Sequence, residues 1–145
     1  MKAKEVTQLS VFLGNHPGVV AELCGALIEA KISIRAMTVL DTVDIGTMRM
    51  IVDDVQRAKE ALKGSAAAYV EVPLLTLEIP NSTGAFAKIA RTMADAGVNI
   101  EYVYATALPE AKYTLGVFRV SDLETALKLD YPDYSLGGMP ALAWA

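Results

Sequence analysis

Two short segments carry residue types suited to holding an anion. They are Asn15-His16-Pro17-Gly18 and Asn81-Ser82-Thr83-Gly84, and they stand 66 residues apart. Each follows an alternating apolar stretch and precedes a helical pattern, so each joins a strand to the first turn of a helix. That turn has N–H groups without intrahelical partners and the positive end of the helix dipole. A carboxylate or phosphate placed there gains about 0.3–1 kcal/mol, and up to about 2 kcal/mol when partly buried. Glycine lets the backbone come close to a ligand or to another backbone. Asparagine can close an Asx turn or donate to a bound group. His16, the sole histidine, can bond a ligand carboxylate or stand in solvent. A plain strand-to-helix turn also uses Asn and Gly, so the residue types alone leave both readings open.

Elsewhere the chemistry is sparse. The single cysteine, Cys24, excludes an intrachain disulfide and a cysteine zinc cluster. It lies near the apolar stripe of a helix and is expected to be buried. Asp41 and Asp44 fall in a hairpin connection, where aspartate is ordinary turn chemistry. Tyr102 and Tyr104 are two apart and share one strand face, where they can line a ligand wall or an interface, or fill a core. No Ser-His-Asp arrangement, Walker loop or His/Cys metal cluster is visible. The expectation is a non-enzyme without metal or cofactor.

The elements that position the turns are stated twice. Leu9 matches Leu75, Asn15 matches Asn81, Gly18 matches Gly84 and Ile34 matches Ile100, each at the same spacing of 66. Repeats of this kind mark structural units. The first unit predicts a strand at Gln8–Leu13, then a helix from Val19 with Val20, Leu23, Leu27 and Ala30 inward. Strands at Ile32–Leu40 and Thr47–Val52 follow, then a helix capped by Asp54 and ended by Gly64, then a strand at Tyr69–Val72. The second unit predicts a strand at Leu75–Ile79, a helix at Ala85–Ala96 using Phe86, Ile89 and Met93, a hairpin of Val98–Thr106 with Lys112–Val120, and a helix capped by Ser121. The order in each is βαββαβ, the ferredoxin-like arrangement: an α+β fold, two units in tandem, each an antiparallel sheet with helices on one face. The apolar phase slips at Leu74/Leu75 beside Pro73, which reads as one strand ending and another beginning. The domains are therefore placed at 1–73 and 74–145, packed against each other. The closing strand of the second unit is expected near Pro132–Gly137, where the residues suit a strand poorly. An irregular tail runs over about 130–145, with apolar Met139–Ala145 and the only tryptophan, Trp144.

With 145 residues, 53% hydrophobic and 21% charged, the chain has material for a true core. A net charge of −4 and the absence of stacking aromatics on Thr47–Val52 argue against nucleic-acid binding. No signal peptide or membrane span is legible. The expected setting is cytoplasmic, with no membrane partner.

The phrase Leu9-Ser-Val-Phe-Leu-Gly-Asn-His-Pro-Gly18, with Ile32-Ser-Ile34 after its helix, resembles the opening of an ACT domain. Leu75-Thr-Leu-Glu-Ile-Pro-Asn-Ser-Thr-Gly84, with Gly97-Val-Asn-Ile-Glu-Tyr102, resembles it again. Apart from the last fifteen or so residues, the chain looks like a tandem-ACT protein with no attached catalytic domain. The resemblance implies a regulatory module that binds an amino acid or similar small molecule, pairs through sheet edges and helices, and holds its ligand at an inter-domain or inter-subunit interface. It implies ligand contacts at Asn15, His16, Pro17, Gly18 and Val19, and at Asn81, Ser82, Thr83, Gly84 and Ala85. The second strand of a facing unit, around Met37–Val39 and Tyr102–Tyr104, would complete a pocket. Thr83 stands where the family usually has proline. The expected partners are an amino-acid ligand, a second copy in a homodimer, and an unidentified regulated enzyme. The alternative is a scaffold or regulatory subunit with no ligand of its own.

Overall fold

The computed structural model describes residues 3–42, 45–65 and 67–132. Its elements are β1 (Lys4–Gly14), α1 (Val19–Glu29), β2 (Ile34–Thr42), β3 (Ile45–Val52), α2 (Val55–Gly64), β4 (Tyr69–Pro80), α3 (Ala85–Asp95), β5 (Ile100–Ala105), β6 (Tyr113–Val120) and α4 (Leu123–Lys128). This is the βαββαβ order twice over, with antiparallel pairing of β1–β3, β2–β3, β4–β6 and β5–β6. The chain divides into two compact units: Thr7–Val72, and Pro73–Ala145 together with Met1–Val6. The closing strand expected near Pro132–Gly137 lies, from Asp133 onward, outside the described residues, as do Asp44 and the apolar tail with Trp144.

In the unit Thr7–Val72 the strands run β2-β3-β1-β4, with β4 contributing its first residues. The register sets Leu9 against Met50 and Val11 against Met48. Opposed residues of an antiparallel pair share a face, so these four side chains form one apolar layer. Leu23 and Leu27 of α1 and Ala58 and Leu62 of α2 pack on that same layer, which puts both helices on one side. Burying each such aliphatic side chain contributes roughly 1.5–3 kcal/mol. Cys24 is half-buried against this core. Val20, expected on the inner stripe, is 37% exposed. Val19, its neighbour in the first turn, packs against the core.

The unit containing Pro73–Ala145 repeats the plan. Its strands run β1-β4-β6-β5, with Lys4–Val6 as the share of β1. Leu75 faces Phe118 and Leu77 faces Gly116. Ile89 and Met93 of α3, Ala126 of α4 and Tyr131 close the core, and Ala3 packs against it. An edge strand is thus drawn from the chain's beginning.

Two expectations are corrected. The segments Tyr69–Val72 and Leu75–Ile79 are one continuous strand, β4, running through Pro73. The apolar phase slip does not signal a break, because Leu74 and Leu75 are both fully buried on opposite faces of that strand. The cap of α4 is Asp122, not Ser121: the Asp122 carboxylate accepts from the Thr125 N–H at 3.0 Å. The Ser121 hydroxyl accepts instead from the Asn99 N–H at 2.9 Å. Asp54 caps α2 as expected, accepting from the Arg57 N–H at 3.1 Å.

Candidate functional site

The two anion-suited turns share a backbone. Gly18 ends the first at φ +91° and is the N-cap of α1; Gly84 ends the second at φ +82° and is the N-cap of α3. Both lie in the left-handed region that favours glycine. No neighbouring atom lies within 4 Å of where a Cβ would stand on either. The requirement for glycine is therefore conformational, and the space above it is open.

No side chain caps either helix. The ladder of α1 opens with the Glu22 N–H donating to the Gly18 carbonyl at 2.9 Å, and that of α3 with Lys88 N–H to Gly84 at 3.1 Å. The amides of the residues in between come before the ladder. By contrast α2 and α4 each have an aspartate carboxylate seated on their first turn. The two helices that follow the turns are the two that lack this.

The surroundings differ. Asn15, His16, Pro17 and Gly18 are exposed and Val19 is half-buried. The His16 ring lies over Gly14, whose missing side chain makes room for it: a Cβ there would stand 3.1 Å from the ring. Its Nδ1 is 3.2 Å from the Pro17 carbonyl, to which it donates in the matching tautomer. In the second turn Thr83 and Gly84 are exposed, Ser82 is half-buried, and Asn81 and Ala85 are buried. The Asn81 side-chain amide donates to the carbonyls of Leu108 (3.1 Å) and Ala111 (2.9 Å). Its main-chain N–H donates to Lys112. These bonds give its amide hydrogens to the backbone of the β5–β6 connection. That use was not legible in the sequence, since the partners lie 27 and 30 positions away. Ala85 N–H donates to the Ser82 carbonyl at 3.2 Å, which tightens this turn further.

First-turn charge also differs. Glu22 lies in the first turn of α1, and the same place in the repeat, in α3, is Lys88. An anion is favoured near a helix start by positive charge and opposed by a carboxylate.

Tyr102 and Tyr104 do share one face, opposite Arg119 and Val117 respectively. Phe118, between those two, points into the core, so the tyrosines are on the face away from the helices and are half-buried. Tyr104 aligns through Val117 with Thr76. The turn begins at Asn81, five residues further along the chain, about 17 Å away at strand spacing. The structure therefore does not bring a turn and the tyrosines of the same unit together. Met37 and Val39 are 42% and 45% exposed on β2. Phe86, expected inside, is 44% exposed, with its ring stacked on buried Phe118 at 6.0 Å between centroids. Sequence reading also missed a buried polar set: Gln8 (0% exposed) donates to Ser10 at 2.9 Å, and Thr76, the repeat partner of Ser10, is 7% exposed. Polar residues alternating with apolar ones inside a strand are normally solvated, so the pattern gave no hint of burial.

The family model described as an ACT domain pair matches residues 4–129. The chain belongs to that family. Among solved structures, this ACT domain pair is similar to protein BT0572 from Bacteroides thetaiotaomicron, at 30% identity and a TM-score of 0.81, covering 88% of this chain and 92% of that one. It shares its fold with the ligand-free regulatory subunit of aspartate kinase from Thermus thermophilus, at 18% identity and a TM-score of 0.62 over 88% and 93% of the two chains. The same holds for the regulatory subunit of aspartate kinase from Thermus flavus, at 17% identity and 0.59 over 88% and 94%. A search of curated proteins gave no match. Among the described residues no helix of the ACT pair is long and apolar enough to cross a membrane, and no three His, Cys, Asp or Glu side chains group as metal ligands. Membership supports a regulatory, ligand-binding role in general terms.

Proposed function

We propose that this ACT domain pair is a cytoplasmic sensor of an amino acid, bound through its carboxylate at the turns Asn15–Val19 and Asn81–Ala85. The observation that carries this reading is the division among the four helices. Those after the turns begin at an open left-handed glycine with no side-chain cap, and the other two carry an aspartate in that place. A ligand carboxylate would occupy on α1 or α3 the position that Asp54 and Asp122 hold on α2 and α4. The Lys88-for-Glu22 exchange favours the second turn for the carboxylate. A facing ACT unit in a second copy of the chain supplies the remaining wall, since Tyr102 and Tyr104 stand too far along the strands from the turn of their own unit. Binding then favours one packing over another and shifts a population. Dissociation constants of about 1 mM to 1 μM, or roughly −4 to −8 kcal/mol, suit such sensing.

A thermal-shift screen of the twenty amino acids tests this. A ligand at 100 times its dissociation constant adds about 2.7 kcal/mol of stability. Gly18→Val and Gly84→Val should remove the shift while the protein stays folded; a shift retained in both would take the turns out of the site.

The second reading is a ligand-free regulatory subunit of a separate enzyme. Leu40 and Ile45, at 40% and 53% exposed on one face of the β2–β3 pair, favour it as an apolar contact surface. So does the description of two fold relatives as aspartate kinase regulatory subunits. An absence of any shift at millimolar amino acid would favour this reading.

A further inference from the structure

The β5–β6 connection, residues 106–112, is tied to the second turn by one residue. Asn81 is 7% exposed, and its side chain donates to Leu108 and Ala111 while its N–H donates to Lys112. The connection's own bonds are local: Ala111 N–H to the Leu108 carbonyl, and Thr106 N–H to the Leu115 carbonyl. Leu108, in the middle, is 69% exposed, so packing gives the connection little hold. In the other unit Asn15 is exposed, and only two residues separate β2 from β3. The connection that the Asn81 side chain holds is the longer of the two.

We propose that Asn81 is a latch: its amide holds residues 106–112 as a strap beside the turn Ser82–Gly84, and losing that amide releases the strap while the unit stays folded. A buried donor pair serving two carbonyls of a distant, solvent-facing segment is the physical basis. When the donors go, those carbonyls can turn to water, because residues 106–110 are exposed and Ala111 is only half-buried. The strap's bearing on ligand rests on the proposed function; its release does not.

Hydrogen exchange on the unliganded full chain tests the latch. Asn81→Asp keeps the shape and removes the donors; Asn81→Ala removes the group without adding charge. Both should speed exchange of the Thr106 and Ala111 amides roughly tenfold and leave β4, β6 and α3 unchanged. Unchanged exchange at 106–112 in both variants overturns the proposal. So does acceleration spread evenly over the unit, or failure of both variants to fold, since a latch must open alone. Each of the twenty amino acids is then added to the variants at 10 mM. A shift seen in the native chain and weakened in both variants means that Asn81 serves the site, by contact or through the strap. A native chain that shows no shift sinks the sensor reading and leaves the exchange result standing.

Discussion

Asn15 and Asn81 occupy the same place in the repeat, yet Asn15 is exposed and Asn81 is buried, its amide bonded to a distant connection. Three residues later the likeness returns, with Gly18 at φ +91° and Gly84 at φ +82°. The backbone of the turn is what the two units hold in common, and side chains around it have been put to different uses. The same contrast runs into the cores. Met48 faces Val11 in one unit; Gly116 faces Leu77, the repeat partner of Val11, in the other. Ile79 and Phe118 fill the room that a methionine takes up in the first unit, coming within 2.5 Å and 2.7 Å of where a Cβ on Gly116 would stand.

The cores allow the sharpest break of this comparison. Met48→Ala should cost about 2–5 kcal/mol by opening a cavity, whereas Gly116→Ala should cost about 1–3 kcal/mol by overfilling. Urea denaturation reads both, and a neutral Gly116→Ala would mean the second core is looser than its contacts imply. The turns come next. Gly18→Ala and Gly84→Ala should each cost about 1–2 kcal/mol from the left-handed backbone alone, with no clash. Unequal losses in chemical denaturation would show that the shared conformation is not held alike in the two units.

The capped helices give smaller effects. Asp54→Ala should cost about 1 kcal/mol, and Asp122→Ala should destabilise α4 in the same direction. The side-chain and main-chain hydrogen bonds from Thr125 hold the Asp122 carboxyl below its usual 3.8. A depressed folded-state value means its contribution is present above the ordinary value and is lost as pH falls through the lowered one. An acid titration should therefore lose a step below pH 3.8 in Asp122→Ala. Smallest is Tyr131, whose hydroxyl donates to the Ala126 carbonyl at 2.7 Å. Burial pushes its phenol up from 10.0 to about 12. Its contribution is whole below pH 10 and fades as pH rises toward about 12. Tyr131→Phe should cost about 0.5–1.5 kcal/mol and remove that alkaline limb of the stability curve.

Much of the fold was legible. Alternation marked Leu9, Val11 and Leu13, and helical spacing marked Leu23 and Leu27, because each regularity is the period of the backbone itself. Asp54 was readable as a cap for the same local reason. Val20 and Phe86 misled, since apolar type does not fix which way a first-turn residue points. Leu74/Leu75 misled because a strand buried on both faces has no phase to slip. Ser121 misled because its hydroxyl is taken by the Asn99 N–H, just before β5, and Asp122 caps α4 in its place. At the turns the glycines were readable and the role of Asn81 was not.

The order of elements, the duplication and the two left-handed glycines were set by residues near one another in the chain, where periodicity and backbone sterics act. The placement of Lys4–Val6 in the unit of Pro73, the use of the Asn81 amide by residues 108 and 111, and the burial of Gln8 and Thr76 were decided by tertiary structure. Each depends on segments far apart in sequence meeting in space, and a hydrogen bond or a buried face leaves no mark on the chain until its partner has arrived.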